Sequence, residues 1–192
     1  METPGLGLAR PDRQTGATLW FTGLPSAGKS TLAHALAERL RGAGHRVQVL
    51  DGDEVRSFLS AELGYSKEAR DTNVARIGFL ARLLASHGVI VLVPVIAPYA
   101  AAREAVRAEH RAAGVPYGEV YVSTSLAVAE SRDVKGLYAK ARRGQITGMT
   151  GIDDPYEKPD NAELVIDTAD VDLETSVQLA SRLLSAWLAG EL

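Results

Sequence analysis

The segment Gly23-Leu-Pro-Ser-Ala-Gly-Lys-Ser30 satisfies the pattern G-x-x-x-x-G-K-[ST] at every fixed position. That pattern works only as a turn between a strand and a helix, so it fixes the local fold around it. The flanks comply. Thr18 to Thr22 is apolar and β-prone, and Leu32, Ala33, Leu36, Ala37 and Leu40 recur at helical spacing. In such a turn the backbone N–H groups and the positive end of the helix dipole face phosphate oxygens. Lys29 is placed to reach β- and γ-phosphates, and Ser30 to ligate Mg²⁺. Gly23 to Thr31 therefore reads as a P-loop holding the phosphates of ATP.

The rest of the chain alternates in the same way. Val47 to Leu50, Val89 to Ile96, Glu119 to Ser123 and Leu164 to Asp167 read as further strands. Asp53 to Leu63, Asp71 to His87, Tyr99 to Ala113 and a last segment carrying Val177, Ala180, Leu184, Trp187 and Leu188 read as helices. Strands alternating with helices predict an α/β fold of the P-loop NTPase type: three layers, with a five-stranded parallel sheet between helices. Ligands of such sheets bind at the carboxyl ends of the strands. Asp133 to Pro159 breaks the pattern. It is polar and Gly-rich, with Lys140, Arg142 and Arg143, and reads as a mobile lid over about residues 135–158.

The acids narrow the class. The strongest apolar strand runs into Ala97-Pro98-Tyr99 with no carboxylate, and no N-K-x-D motif is present. The carboxylates follow the second strand instead, in Leu50-Asp51-Gly52-Asp53. Two acids at a strand end can serve both Mg²⁺ and an acceptor hydroxyl, which suits a small-molecule kinase. Phosphoryl transfer also needs cations. Arg56 lies one turn after Asp53 on the same face, and Arg70 and Asn73 share a helix face three residues apart. Arg76, Lys135, Lys140, Arg142 and Arg143 complete the candidates.

These blocks, with Leu63-Gly-Tyr-Ser-Lys-Glu-Ala-Arg-Asp-Thr-Asn73, Arg132-Asp-Val-Lys-Gly-Leu-Tyr-Ala-Lys-Ala-Arg142 and Thr150-Gly-Ile-Asp-Asp-Pro-Tyr-Glu157, resemble the adenylyl-sulfate kinases from about Ala17 to Asp167. The resemblance implies transfer of the ATP γ-phosphate to the 3′-hydroxyl of adenylyl sulfate (APS), giving 3′-phosphoadenylyl sulfate (PAPS), the sulfate donor of sulfate assimilation. It implies ATP contacts from Gly23, Ser26, Ala27, Gly28, Lys29, Ser30, Thr31 and Arg132. Lys29 and Asp53 become the catalytic pair, with Asp53 the base, and Mg²⁺ falls to Ser30, Asp51 and Asp53. Contacts to adenylyl sulfate fall to Asp53, Arg56, Tyr65, Arg70, Asn73, Ile96, Ala97, Lys135, Gly148 and Met149. A homodimer is expected, and a separate ATP sulfurylase partner is compatible, since this length leaves no room for a sulfurylase domain.

Three positions depart from the family. Tyr65 and Met149 stand where members commonly have the Phe pair that sandwiches the adenine of adenylyl sulfate, and Ala97 where many have Ser. Tyr65 can still stack, whereas Met149 offers only a polarizable contact. Alanine carries no hydroxyl, so a phosphoserine route is closed and transfer is expected to be direct. The alternatives are a kinase of another nucleotide or small metabolite, and a nucleotide-binding module without catalysis.

Composition bounds the remainder. With 192 residues, 46% hydrophobic and 23% charged, the chain suits one domain over residues 17–192 behind a flexible, Gly- and Pro-rich leader at 1–16. A net charge of −3 without a dense basic block argues against nucleic acid. The longest apolar run, Val89 to Ala97, contains Pro94 and is too short to span a membrane. Without cysteine there is no disulfide, Cys-ligated zinc or thiol nucleophile, which fits the cytoplasm. His34, His45, His87 and His110 read as surface or helix-end residues, and Trp20 and Trp187 as core or interface. Asp153, Asp154 and Glu157 read as a solvated loop, or as groups that order the lid when it closes.

Overall fold

A computed structural model describes residues 14–189. Five strands, β1 (Ala17–Thr22), β2 (Val47–Val49), β3 (Ile90–Pro94), β4 (Tyr117–Val122) and β5 (Leu164–Ile166), form one sheet in the order β2-β3-β1-β4-β5. Every pairing is parallel. β1 and β3 are buried along their whole length, which is why their sequences are continuously apolar rather than alternating.

Each face of the sheet carries its own core. On one side Leu19, Phe21 and Leu92 meet Leu32, Leu36 and Ala37 of α1 (Lys29–Gly42) and Val177, Ala180 and Leu184 of α7 (Leu173–Leu188). On the other, Trp20, Val91 and Val93 meet Val74, Ile77 and Ala81 of α3 (Lys67–Ser86) and Val106 of α4 (Ala100–Ala112). The three-layer α/β architecture expected from the alternation is thus observed. α2 (Gly52–Leu59) leans on α3 at the carboxyl end of the sheet.

Several boundaries differ from the sequence reading. α3 begins at Lys67, four residues earlier than expected, because Ser66 caps it by accepting from the Ala69 N–H at 3.2 Å. β4 begins at Tyr117, two residues early. Residues 133–159 are not irregular throughout. They contain α6 (Leu137–Arg142), which follows the unanticipated α5 (Leu126–Arg132). Around these helices Ala129, Tyr138 and Met149 are buried in a small third core. The expected leader at 1–16 falls mostly on residues 1–13, outside the described residues. Gln14 exchanges two hydrogen bonds with the Arg46 backbone.

Both tryptophans sit in apolar packing. Trp20 is fully buried, and Trp187 lies over Gly118, where a Cβ would come within 1.6 Å of the indole. His110 is at the end of α4, yet it is buried rather than on the surface. Its Nδ1 lies 2.8 Å from the Val106 carbonyl and its Nε2 3.0 Å from the Thr18 hydroxyl. A carbonyl only accepts, so the proton is on Nδ1 and Nε2 accepts from Thr18.

Candidate functional site

The turn after β1 is wound as the motif requires. Gly23 has φ +150° and Gly28, the residue before α1, has φ +103°, conformations that a side chain opposes. Ser26 adopts φ +58° and carries that cost without being glycine. The first turn of α1 is Lys29, Ser30 and Thr31, so its free N–H groups open into the loop. The Lys29 ammonium folds back onto the Gly23 and Leu24 carbonyls at 2.9 and 2.7 Å. Burial lowers its pKa to about 7, against the pull of the Asp53 and Asp51 carboxylates.

The loop is braced from behind by Arg132, expected above as an ATP contact, and by Thr124, Tyr138 and Thr168, which the sequence reading passed over. The Ala27 carbonyl accepts from Thr168 at 2.7 Å and from Thr124 at 3.1 Å, and the two hydroxyls are 2.8 Å apart. Arg132 grips Thr168 through its hydroxyl at 2.7 Å and its carbonyl at 2.8 Å. The Tyr138 hydroxyl donates to the Pro25 carbonyl at 3.0 Å. Thr124 and Thr168 directly follow β4 and β5, so the rule that ligands gather at strand ends was the available signal.

The acids come next. Asp51 caps α2 by accepting from the Asp53 N–H at 3.0 Å, which spends one carboxylate oxygen. Its other oxygen takes the Ser30 hydroxyl at 2.7 Å. A hydroxyl and a carboxylate this close, facing open space, suit a hard cation that keeps most of its ligands as water and phosphate. Among the described residues no group of three or more His, Cys, Asp or Glu forms a self-sufficient metal cage. Asp53 itself pairs with Lys135, so the expected base and an expected cation contact meet across 82 positions of sequence.

A second cluster stands beside the first. Arg56 bonds the Leu63 and Gly64 carbonyls and lies 4.4 Å from the centre of the Tyr65 ring, which is two-thirds exposed. Arg70 donates to the Tyr65 carbonyl at 2.9 Å, to the Thr150 hydroxyl at 2.7 Å and to the Gly148 carbonyl. Asn73, one turn further along α3, leaves its Oδ1 buried and unbonded. Arg56, Tyr65, Arg70 and Gly148 are thus brought together. Met149 is 6% exposed, within the third core. Ile96 and Ala97 lie past the end of β3, where Ile96 accepts from Thr22 at 2.6 Å and Ala97 bends to φ +42°.

Two of the remaining cations have structural work. Arg76 ties α3 to the Leu59 carbonyl and to Glu62 at the end of α2. Arg142 joins α6 to Glu130 of α5. The acids at 153–157 are not simply solvated. Asp153 caps the Gly148 and Met149 N–H groups, which lower its pKa. Asp154 accepts from the Tyr99 hydroxyl, and Glu157 from the Ala100 N–H.

Known proteins place this arrangement. The sequence profile described as adenylylsulphate kinase matches residues 15–167, well over half of the chain. The chain belongs to the adenylylsulphate kinase family. A probable adenylyl-sulfate kinase of Synechocystis is 54% identical over 165 residues, 86% of this chain and 91% of that protein. Among solved structures, the Mycobacterium tuberculosis APS kinase CysC in complex with AMPPNP and APS superposes with a TM-score of 0.87 at 44% identity. It covers 90% of this chain and 99% of that one. A hexameric APS kinase from Thiobacillus denitrificans gives 0.68 at 39% identity, over 95% of this chain and 31% of that one. Membership in this kinase family agrees with the P-loop, the acid pair and the cation clusters.

Proposed function

We propose that this adenylylsulphate kinase family member transfers the γ-phosphate of ATP to the 3′-hydroxyl of adenylyl sulfate, releasing ADP and PAPS for sulfate activation. The observation that carries the reading is a convergence at the mouth of the phosphate loop. Ser30 of the loop bonds Asp51 at the start of α2, Asp53 on that helix pairs with Lys135, and Arg56 one turn further on meets Tyr65, which Arg70 also faces.

The chemistry follows from those positions. Lys29 leaves its two carbonyls for the β/γ-phosphates and regains full charge. Ser30 and Asp51, with Asp53 at the rim, would hold Mg²⁺, which supplies charge neutralisation on the phosphates when bound. Arg132 and the backbone of Gly23 to Thr31 seat the rest of ATP. Arg56, Arg70, Asn73, Ile96, Lys135 and Gly148 orient the acceptor, with Tyr65 stacking on its base. Asp53 takes the proton of the 3′-hydroxyl as its oxygen bonds to the γ-phosphorus. The bond from that phosphorus to the β–γ bridging oxygen breaks, and ADP leaves. Ala97 has no hydroxyl to carry the phosphoryl group, so transfer is direct, which a loose in-line transition state permits.

The working unit is residues 17–192, with about 135–158 as a lid that excludes water on closure. Cytoplasmic residence, a homodimer and a separate ATP sulfurylase partner complete the reading. Among the described residues no helix is long and apolar enough to cross a membrane. The burial of Met149 favours a second reading, an acceptor other than adenylyl sulfate. The test is ADP release with ATP and Mg²⁺, with and without adenylyl sulfate, against AMP, other nucleoside monophosphates and gluconate. Release that depends on adenylyl sulfate, with a 3′-phosphorylated product, supports the first reading. Release with another acceptor alone supports the second.

A further inference from the structure

Arg103 is a charged side chain on α4 that is 2% exposed. Burying a guanidinium is costly unless it is paired and its N–H groups are bonded. The pairing comes from Glu119 on β4, equally buried, whose Oε1 lies 2.6 Å from Nε, off the line of an ideal hydrogen bond. The two outer nitrogens do something else. One donates to the Ala97 carbonyl at 2.7 Å and the other to the Glu157 carbonyl at 2.8 Å. Those carbonyls belong to different loops, the β3–α4 connection and the strap that follows Thr150.

The same two loops are stitched together around this point. The Glu157 N–H donates to the Pro98 carbonyl at 2.8 Å, and the Tyr99 hydroxyl donates to Asp154 at 3.0 Å. Asp154 in turn lies 3.9 Å from Arg70, which holds Thr150 and Gly148. Ala97 keeps a left-handed bend that alanine does not favour, and the bond from Arg103 is what its carbonyl receives there. A guanidinium fork reaches two acceptors at fixed angles while its Nε faces a third group, which a lysine cannot do.

We propose that Arg103 is a positioning residue for the acceptor side of the reaction: anchored by Glu119, it fixes the Ala97 bend and the Glu157 end of the strap. Through them it sets the spacing of Ile96 and Ala97 from Arg70 and Thr150. The donor side, built on Gly23–Thr31, Thr124, Thr168 and Arg132, shares none of its bonds. The proposal rests on the acceptor being adenylyl sulfate only for its kinetic readout.

The experiment compares wild type with Arg103→Lys and with the isosteric Glu119→Gln. KM is measured separately for adenylyl sulfate and ATP, and amide hydrogen exchange is followed in the apo proteins. The expected result is a KM for adenylyl sulfate raised roughly three- to tenfold, with KM for ATP within about twofold, as for a small misplacement of binding groups. Exchange quickens at residues 97–100 and 154–158 together. If Arg103→Lys does not fold, Glu119→Gln carries both readouts. A lower melting temperature with both KM values and both loops unchanged overturns the proposal, and so does loosening confined to α4. A wild-type chain that ignores adenylyl sulfate counts against the proposed function alone, and the exchange pattern still decides this inference.

Discussion

Replacing Gly118 with alanine isolates one contact that holds α7 on the sheet. A Cβ built at 118 lies 1.6 Å from the indole Cη2 of Trp187 and 2.4 Å from Cζ2. Neither distance can be relieved by small shifts, because Gly118 is buried in β4, between β1 and β5. The indole must therefore leave its seat. A tryptophan side chain buries on the order of 150–250 Å², and Trp187 is only partly buried, so about half of that is forfeited. At about 25 cal/mol per Å² the loss is about 2–3 kcal/mol, and in a chain of this size that corresponds to a fall in Tm of roughly 5–10 °C.

The assay is thermal unfolding combined with tryptophan emission. The chain has two tryptophans, and Trp20 is fully buried on the opposite face. A red shift in Gly118→Ala therefore reports Trp187 alone. The double variant Gly118→Ala/Trp187→Leu should recover part of the loss, since leucine leaves room for the new methyl group. A Gly118→Ala protein that melts with wild type and keeps its emission maximum refutes the packing.

Other perturbations address the site and the fold directly. Lys29→Ala should lower kcat at least about a hundredfold, as removal of one preorganised charge typically does; turnover near wild type contradicts its role. Asp53→Ala should abolish ADP release while retaining measurable ATP binding, and near-normal turnover in that variant sinks the proposed base. Arg70→Lys keeps the charge but reaches fewer of its three acceptors. Two lost charge-assisted bonds of about 1.5 kcal/mol each predict a KM for adenylyl sulfate up to roughly a hundredfold higher, and an unchanged KM rejects that assignment. His110 titrates below its ordinary value because burial disfavours its charged form. The unfolded chain then binds the extra proton first, so stability present above about pH 6.5 is lost as pH falls through it. Wild-type Tm should drop below about pH 6.5 more steeply than that of His110→Gln, and parallel curves count against it.

Much of the fold was legible because its signals are local. The glycines and lysine of Gly23–Ser30 dictate their turn, and continuously apolar strands announce a sheet covered on both faces. The acid pair of Asp51 and Asp53 was readable, while the way Asp51 divides its two oxygens between a helix cap and Ser30 was not, since the second bond is a tertiary contact. α3 was started late although Ser66 followed by Glu68 is a readable capping signal. α5 and α6 were missed because their apolar faces cover only a small local core. Arg103, Thr124 and Thr168 stayed hidden for another reason. Strand-end position put Thr124 and Thr168 near the site, but each of the three acts on a backbone carbonyl in another segment, and nothing in residue type or spacing records such a bond.

The order of the sheet also has a consequence for how the chain is made. β1 is central, yet both of its neighbours come much later, β3 and then β4. The link from Arg39 of α1 to Glu174 of α7 spans 135 positions. During synthesis the apolar stripe of α1 emerges early and is only partly covered, by the sheet, until α7 follows. Pairings this distant fold slowly and leave oily surface exposed meanwhile. A ribosome that stalls between β4 and α7 would hold out a nascent chain whose first helix lacks its α7 cover, a natural client for chaperones that bind such stripes.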